Sequence, residues 1–270
     1  MSVTVPRPTD TTPPAPAPAP APSPWSRRTE RAVAALAVAA VAATAATVWL
    51  GLWVTPPDVT QGDLVRLLYL HPPVAWVSLY LAFGVLAVSS VLWLWPRTRH
   101  PRWDKAAGAA AEVGAVFTAL TLVSGSIWGR PTWGVWWAWD ARLTSTALLL
   151  VLLLGYLTLR RSGGDPDTRA RRCAVAAIVA AVDVPIVHFS VSWWRTLHQP
   201  GTVTNPELHL MVHGSMAWTL LLGFVAFTLV FLWMLVVRIR IATLADAAED
   251  AALHAALAQR WSEASDTVAP

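Results

Sequence analysis

The sequence is poor in charged residues and has a single cysteine. Only 13% of its 270 residues are Asp, Glu, Lys or Arg, whereas 55% are hydrophobic. About a quarter of the residues of a soluble domain are charged, so the composition argues against a soluble globular domain and against a disordered chain. Cys173 alone allows no disulfide framework, no CxxC pair and no CxxCH haem-attachment motif. The composition is that of a polytopic membrane protein.

Six apolar runs are long enough to cross a bilayer, which takes roughly 20 apolar residues for each helix. They lie near 32–54, 72–95, 106–128, 143–159, 173–194 and 210–237. We therefore predict an all-α protein whose residues 31–240 form a six-helix transmembrane bundle. Residues 1–30 are expected to be a disordered Pro/Ala-rich tail without the apolar core of a signal peptide. Residues 241–270 are expected to form a C-terminal helix and tail that is solvated or docks a partner.

Lys and Arg are distributed unequally over the loops between these runs. One side has fourteen, namely Arg27, Arg28, Arg31, Arg97, Arg99, Arg102, Lys105, Arg160, Arg161, Arg169, Arg171, Arg172, Arg238 and Arg240. The other side has four, namely Arg66, Arg130, Arg142 and Arg195. The positive-inside rule predicts that the first side and both termini are cytoplasmic. Because the basic clusters lie between apolar runs, the net charge of +4 does not indicate nucleic-acid binding.

The outward loop between the third and fourth runs is rich in tryptophan. Five of the seventeen tryptophans lie within twelve residues, namely Trp128, Trp133, Trp136, Trp137 and Trp139. An aromatic belt at the membrane surface is one interpretation. The favoured one is an apolar platform for a large planar ligand, because large exposed apolar patches usually mark binding surfaces. Arg130 and Arg142 are then expected to pair with carboxylates at the ligand edge, and Asp140 is expected to cap the fourth span.

Two histidines lie on the same side of the membrane as this loop. His71 starts the second span and His198 lies in the third outward loop, each near Trp and Pro. Neutral imidazole is a common axial ligand of haem iron, so the pair suits a six-coordinate, non-covalently held haem. His188 is expected to be a packed, hydrogen-bonded residue. His209 and His213 share a helix face, which is a weak metal signal without a third ligand.

The fifth span contains Asp183 near mid-membrane, where a carboxylate must face the bundle, pair or be protonated. Pro185 follows it and is expected to kink the helix. A path lined by Asp183 and His188 would suit a transmembrane transporter of haem or another small molecule. A quinol-oxidising cytochrome would need haem ligands near both faces, and the other face offers only His100 and His254 in charged segments.

Residues Trp128–Ser145 resemble the WWD domain of haem-handling proteins in cytochrome c maturation. With the six-span layout, the His71 segment and the segment Ser190-Val-Ser-Trp-Trp-Arg-Thr-Leu-His-Gln-Pro200, the chain is similar to the haem exporter protein C family, CcmC, of maturation system I. The resemblance covers about 50–240.

The resemblance implies a protein of the cytoplasmic membrane that binds haem b at the outer face and presents it to the haem chaperone CcmE. It implies a complex with CcmA, CcmB and CcmD, of which CcmA is the ATPase subunit. It implies His71 and His198 as the axial ligands. The tryptophan motif carries over to Trp128, Trp133, Trp136, Trp137, Trp139 and Asp140. No nucleophile–base pair is evident in the sequence, so we expect a delivery protein rather than a conventional enzyme.

Overall fold

The computed structural model describes residues 26–198 and 212–268. Within these ranges the chain forms eight α-helices, two π-helical segments and one 3-10 helix, without a named strand. They make six spans long and apolar enough to cross a membrane, which confirms the predicted six-helix membrane bundle. The spans are Arg27–Val54, Asp63–Leu94, Pro101–Trp133, Ala141–Arg160, Pro166–Trp193 and Gly214–Trp261.

Several spans combine more than one helical segment. The first is α1 followed by a π-helical turn, and the second is a 3-10 helix, α2, a π-helical segment and α3. The fifth is α6 and α7. The α-helices are α1 (Arg27–Trp49), α2 (His71–Trp76), α3 (Phe83–Leu94), α4 (Pro101–Trp133), α5 (Ala141–Arg160), α6 (Pro166–Ala181), α7 (Asp183–Trp193) and α8 (Gly214–Val268). The other segments are Leu50–Val54, Asp63–Tyr69 and Val77–Ala82.

The third span is longer than predicted. The sequence interpretation ended this span at 128 and placed the outward loop at 129–142, but α4 continues through Pro131 to Trp133. Gly134 ends it with φ of 81°, and its N–H donates to the Arg130 carbonyl. Glycine adopts this left-handed conformation without steric cost, so the helix ends here rather than at Pro131. Trp128 and Trp133 are therefore helix residues.

The break expected in the fifth span is present. Helix α6 ends at Ala181 and α7 begins at Asp183. Pro185 has no N–H to donate to the Ala181 carbonyl, which explains the position of the break. Asp183 is 4% exposed, and its Oδ2 has no hydrogen-bond partner among the described residues.

Helix α4 is at the centre of the bundle and packs against α2, α3, α5 and α8, whereas α1 packs mainly against α8. A buried stretch of small residues at 106–111 lets the neighbouring helices approach α4 closely. We call the end of the bundle that carries His71 and Gly134 the site end. We call the opposite end, which carries Arg99 and Arg160, the basic end.

Ion pairs join different helices at the basic end. Arg160 of α5 binds Asp104 of α4 in a bidentate pair, with both N–O distances 2.7 Å. Glu112 of α4 pairs with Arg238 of α8. Two further pairs connect Lys105 with Asp246 and Arg240 with Glu30.

Candidate functional site

A cavity of about 580 Å3 opens at the site end of the bundle. Sites for small molecules have volumes of roughly 300–1,000 Å3. On α8 the wall extends from Leu221 to Leu229, about 12 Å along the helix, so the cavity reaches into the membrane-spanning part. Most of the wall is apolar, and its residues with a chargeable or metal-binding side chain include His71, His198 and Arg142. This combination suits a lipophilic ligand with one metal or anionic group.

His71 is the first residue of α2, and its imidazole is held by α4. Its Nδ1 lies 2.9 Å from Ser124 Oγ, and that hydroxyl donates its single proton to the Leu120 carbonyl at 2.7 Å. A hydroxyl that donates to the Leu120 carbonyl can only accept at His71, and in that arrangement Nδ1 carries the ring proton and donates to Ser124. This tautomer leaves Nε2 with a lone pair, and Nε2 has no hydrogen bond within the described part of the chain.

Gly125 makes room for this imidazole on the surface of α4. A Cβ atom at Gly125 would lie 3.0 Å from His71 Cε1, closer than most real Cβ contacts. The His71 ring can therefore lie directly against the backbone of α4. The helix surface and the Ser124 hydroxyl together fix both the place and the tautomer of the ring.

His198, in the segment after α7, lies beside His71. The two ring centroids are 6.3 Å apart and the ring planes are inclined by 39°. Imidazole nitrogens bind transition metals at about 2 Å, so two axial imidazoles on one iron place their ring centroids about 6 Å apart. The observed centroid separation is of this size. Two residues far apart in the sequence are thus brought to one wall of the cavity.

Two of the five clustered tryptophans reach the cavity. Trp128 approaches His71 edge-on at 5.9 Å between centroids, and Trp133 lies 6.1 Å from His198. Both line the wall. Trp136 and Trp139 are 61% and 83% exposed and are not wall residues. Trp137 is half-buried and meets Trp139 edge-on, so the tryptophans do not form one flat surface.

Comparison with known protein families decides the family. The model of the heme exporter protein C family matches residues 18–254, which is most of the chain. The chain belongs to the heme exporter protein C family.

Relatives at substantial identity have names that agree with this membership. The chain is 45% identical over 179 residues to the heme exporter protein C of Bradyrhizobium diazoefficiens, which covers 66% of each protein. It is 39% identical over 180 residues to a putative cytochrome c biosynthesis ccmC-like mitochondrial protein of Arabidopsis thaliana, covering 67% of this chain and 66% of that protein. The heme exporter protein C of Escherichia coli K12 is 37% identical over 175 residues, with 64% and 69% covered. The aligned part thus spans about two thirds of these relatives.

In this heme exporter protein C family member, Arg142 is the cation on the cavity wall. Its Nε donates to Ser190 Oγ at 3.2 Å and its Nη2 to the His188 carbonyl at 2.8 Å. Among the described residues, its Nη1 makes no hydrogen bond and no acidic side chain forms an ion pair with it. A guanidinium with a spare donor beside an apolar cavity is suited to bind a carboxylate.

Asp140 and Arg130 do not line the cavity. Asp140 caps α5 through a hydrogen bond from the Leu143 N–H at 2.8 Å, which confirms the predicted cap. Arg130 is exposed, and its Nη1 donates to the Gly134 carbonyl at 2.8 Å. The second arginine expected at the ligand edge thus supports the end of α4.

Asp183 and His188 are not among the wall residues of this cavity either. His188 Nδ1 lies 2.5 Å from the Tyr80 hydroxyl, and its ring packs against Phe189 at 4.6 Å between centroids. This confirms the prediction of a packed, hydrogen-bonded histidine. Tyr80 and Arg142 line the cavity, so His188 meets wall residues through the Tyr80 side chain and through its own backbone carbonyl.

Among the other described histidines, His100, His213 and His254 are not wall residues of the cavity. His100 caps α4 and His254 is exposed on α8, as expected of solvated residues. His213 is exposed just before α8, and His209 lies outside the described residues. In residues 26–198 and 212–268 no group of three or more His, Cys, Asp or Glu side chains is arranged to hold a metal ion.

Gln61 is a wall residue that the sequence interpretation missed. Its Oε1 accepts a hydrogen bond from Trp128 Nε1 at 2.9 Å, which fixes the indole beside His71. Gln61 is placed by a turn in which the backbone N–H groups of Gln61 and Thr60 donate to Asp58 and hold the pKa of that carboxyl below its usual value. The signal for the turn was Asp58 together with Gly62, whose φ is 56°.

Proposed function

We propose that the protein binds haem b non-covalently at the outer face of the cytoplasmic membrane and delivers it to the haem chaperone CcmE for c-type cytochrome maturation. The observation that carries the proposal is the pair His71 and His198 on the wall of a largely apolar cavity. Two imidazoles make a six-coordinate haem iron, and the Nε2 lone pair of His71 is suited to ligation.

Different wall residues would contact different parts of the haem. Trp128 and Trp133 would contact the apolar macrocycle beside the two histidines, and the spare Nη1 of Arg142 would bind a propionate carboxylate. Exposed Trp136 and Trp139 then offer an apolar surface beside the site for the receiving protein. Water is kept from the iron by the apolar part of the wall.

Release in this proposal proceeds by ligand exchange at the iron. Cys173 is buried in the core on α6 and is not a wall residue, so this chain forms no thioether with haem at the cavity. The chaperone competes for the iron and withdraws the haem, while the imidazoles of His71 and His198 return to their unligated state. We therefore propose a delivery protein rather than an enzyme.

The membrane arrangement follows from the distribution of basic residues. By the positive-inside rule, the fourteen Lys and Arg residues support a cytoplasmic basic end with both termini inside, and a site end outside. The basic end then faces the ATPase subunit CcmA of a complex that also contains CcmB and CcmD. The site end faces CcmE.

Absorption spectra of the protein purified from haem-replete membranes test the proposal. We expect a low-spin bis-histidine spectrum that is lost in His71→Ala and in His198→Ala. A His209→Ala/His213→Ala double variant should keep the spectrum, and so should His188→Phe, which removes a nearby imidazole that does not line the cavity. Absence of haem from every form would contradict haem binding. Loss only in the double variant would move the ligands to the sixth span.

A further inference from the structure

We infer that Asp140 is a positioning residue that holds His198 in place, rather than a residue that contacts haem. The inference rests on the proposed function and adds a role that the resemblance to the WWD proteins did not supply. It starts from the two carboxylate oxygens of Asp140, which serve two different segments of the chain. Oδ1 accepts the Leu143 N–H at 2.8 Å, and Oδ2 accepts the Leu197 N–H at 3.1 Å.

The segment that carries His198 has no regular structure to hold it. Helix α7 ends at Trp193, and its cap bond runs from the Trp194 N–H to the Ser190 carbonyl. The His198 N–H donates to Thr196 Oγ1 at 3.1 Å, two residues away. These bonds are local. The bond to Asp140 differs because it ties the residue next to His198 to the start of another span.

The position of Asp140 also argues against direct contact with the ligand. Leu197 and His198 line the cavity, but Asp140 does not. Both of its oxygens already accept backbone N–H groups. A carboxylate in contact with the ligand would also repel the carboxylates that Arg142 is placed to attract. Asp140 therefore acts on the iron through the place it gives His198.

The hydrogen bond from the Leu197 N–H to Asp140 is expected to help hold the segment that carries His198. A bond to a charged acceptor is stronger than one between neutral groups. Each such bond adds order to an irregular segment, because it restricts backbone conformations that the segment would otherwise sample. Without the bond, His198 is expected to spend much of its time away from the iron, while His71, held by Ser124 on α4, keeps its place.

Two variants separate the cap from the bond to Leu197. Asp140→Ser keeps a good helix cap, but its shorter side chain cannot serve both N–H groups. Asp140→Asn keeps the length and one acceptor oxygen, and it replaces the other oxygen with a donor. Asp165→Ser is the matched control, because Asp165 caps α6 at the basic end by accepting the Thr168 N–H at 2.8 Å.

The first measurement is hydrogen exchange at the Leu197 amide in the haem-free protein. We expect exchange about tenfold faster in Asp140→Ser and Asp140→Asn, the factor expected on losing one hydrogen bond to a charged group, and unchanged exchange in Asp165→Ser. Unchanged exchange in both Asp140 variants would overturn the inference. The exchange measurement does not need haem. It therefore tests the role of Asp140 at Leu197 even if the protein proves not to bind haem.

The second measurement is the spectrum of the haem-loaded protein. We expect Asp140→Ser to retain haem but to become partly high-spin, and added imidazole to restore the low-spin spectrum, as it should in His198→Ala. A fully low-spin spectrum in Asp140→Ser would overturn the inference. So would loss of haem that imidazole does not reverse, because that would identify Asp140 as a direct contact.

Discussion

The two ends of the bundle are held together in different ways. At the basic end, four ion pairs connect α1, α4, α5 and α8, around a stretch of small buried residues on α4. At the site end, the helices separate around a cavity, and single hydrogen bonds orient side chains, as from His71 to Ser124 or from Trp128 to Gln61. Within the described ranges, the ion pair at the site end is Arg66 with Asp63, and it joins residues of one short helix. The residues that stabilise the fold are thus largely distinct from those that shape the site.

The largest effect should come from the basic end. Arg160→Met would leave the Asp104 carboxylate without its partner, with the side chains of the pair only 22% and 19% exposed. Loss of one member of such a pair costs about 3 kcal/mol in the free energy of unfolding. We expect a lower melting temperature in detergent, measured by circular dichroism, and an unchanged haem spectrum in the protein that remains folded.

Lys105→Met is the control for this change. Its partner Asp246 is 60% exposed, so the loss should be small, because an exposed carboxylate is solvated by water. An altered haem spectrum in Arg160→Met without a loss of stability would contradict the conclusion that the basic end stabilises the fold and the site end shapes the site.

A second effect should be confined to the site end. Ser124→Ala removes the acceptor of the His71 Nδ1 proton, and loss of such an outer partner typically weakens metal binding by about 10- to 100-fold. Haem titration of the purified variant measures this. Ser90→Ala is the matched control, because Ser90 is equally buried and donates to its own helix without a histidine partner. A similar loss of affinity in both variants would point to general destabilisation.

The smallest effect separates the tryptophans within the site end. Trp128→Ala should weaken haem binding by roughly tenfold, since an aromatic contact contributes about 0.5–1.5 kcal/mol beyond the area it buries. Trp139→Ala, at an 83% exposed position, should leave haem affinity unchanged. Equal losses of haem affinity in the two variants would mean that the whole tryptophan motif contacts haem. This would contradict the cavity wall, which includes Trp128 but not Trp139.

The sequence predicts those parts of the fold that depend on residues close together in the sequence. Six spans follow from apolar length alone, and Asp140 as a cap follows from its place before an apolar run. The predicted end of the third span at 128 was wrong, because apolar length does not show that a helix can continue through Pro131 and be closed by Gly134. The distortion of the fifth span at Pro185 was predicted, because it depends only on the N–H that proline lacks.

The candidate site could be proposed from the sequence only where single residues stand out. His71 and His198 stand out by residue type and side of the membrane, and the structure places them together. Ser124 and Gly125 do not stand out, because their role depends on α2 packing against α4 at that register. Likewise, the sequence does not separate Arg142 from Arg130. Arg142 lies on the cavity wall because α5 packs against α7, where its guanidinium bonds Ser190 and the His188 carbonyl.

The distance in sequence between the two histidines has a consequence for synthesis of the protein. His71 precedes most of the second span, whereas His198 follows the fifth, and Asp140 before the fourth span must already be in place to receive Leu197. A chain that is inserted only through the fourth span therefore has His71 but lacks His198. If haem is bound as proposed, both histidines are available only once the fifth span has been inserted, and we expect an unfinished chain to bind haem weakly.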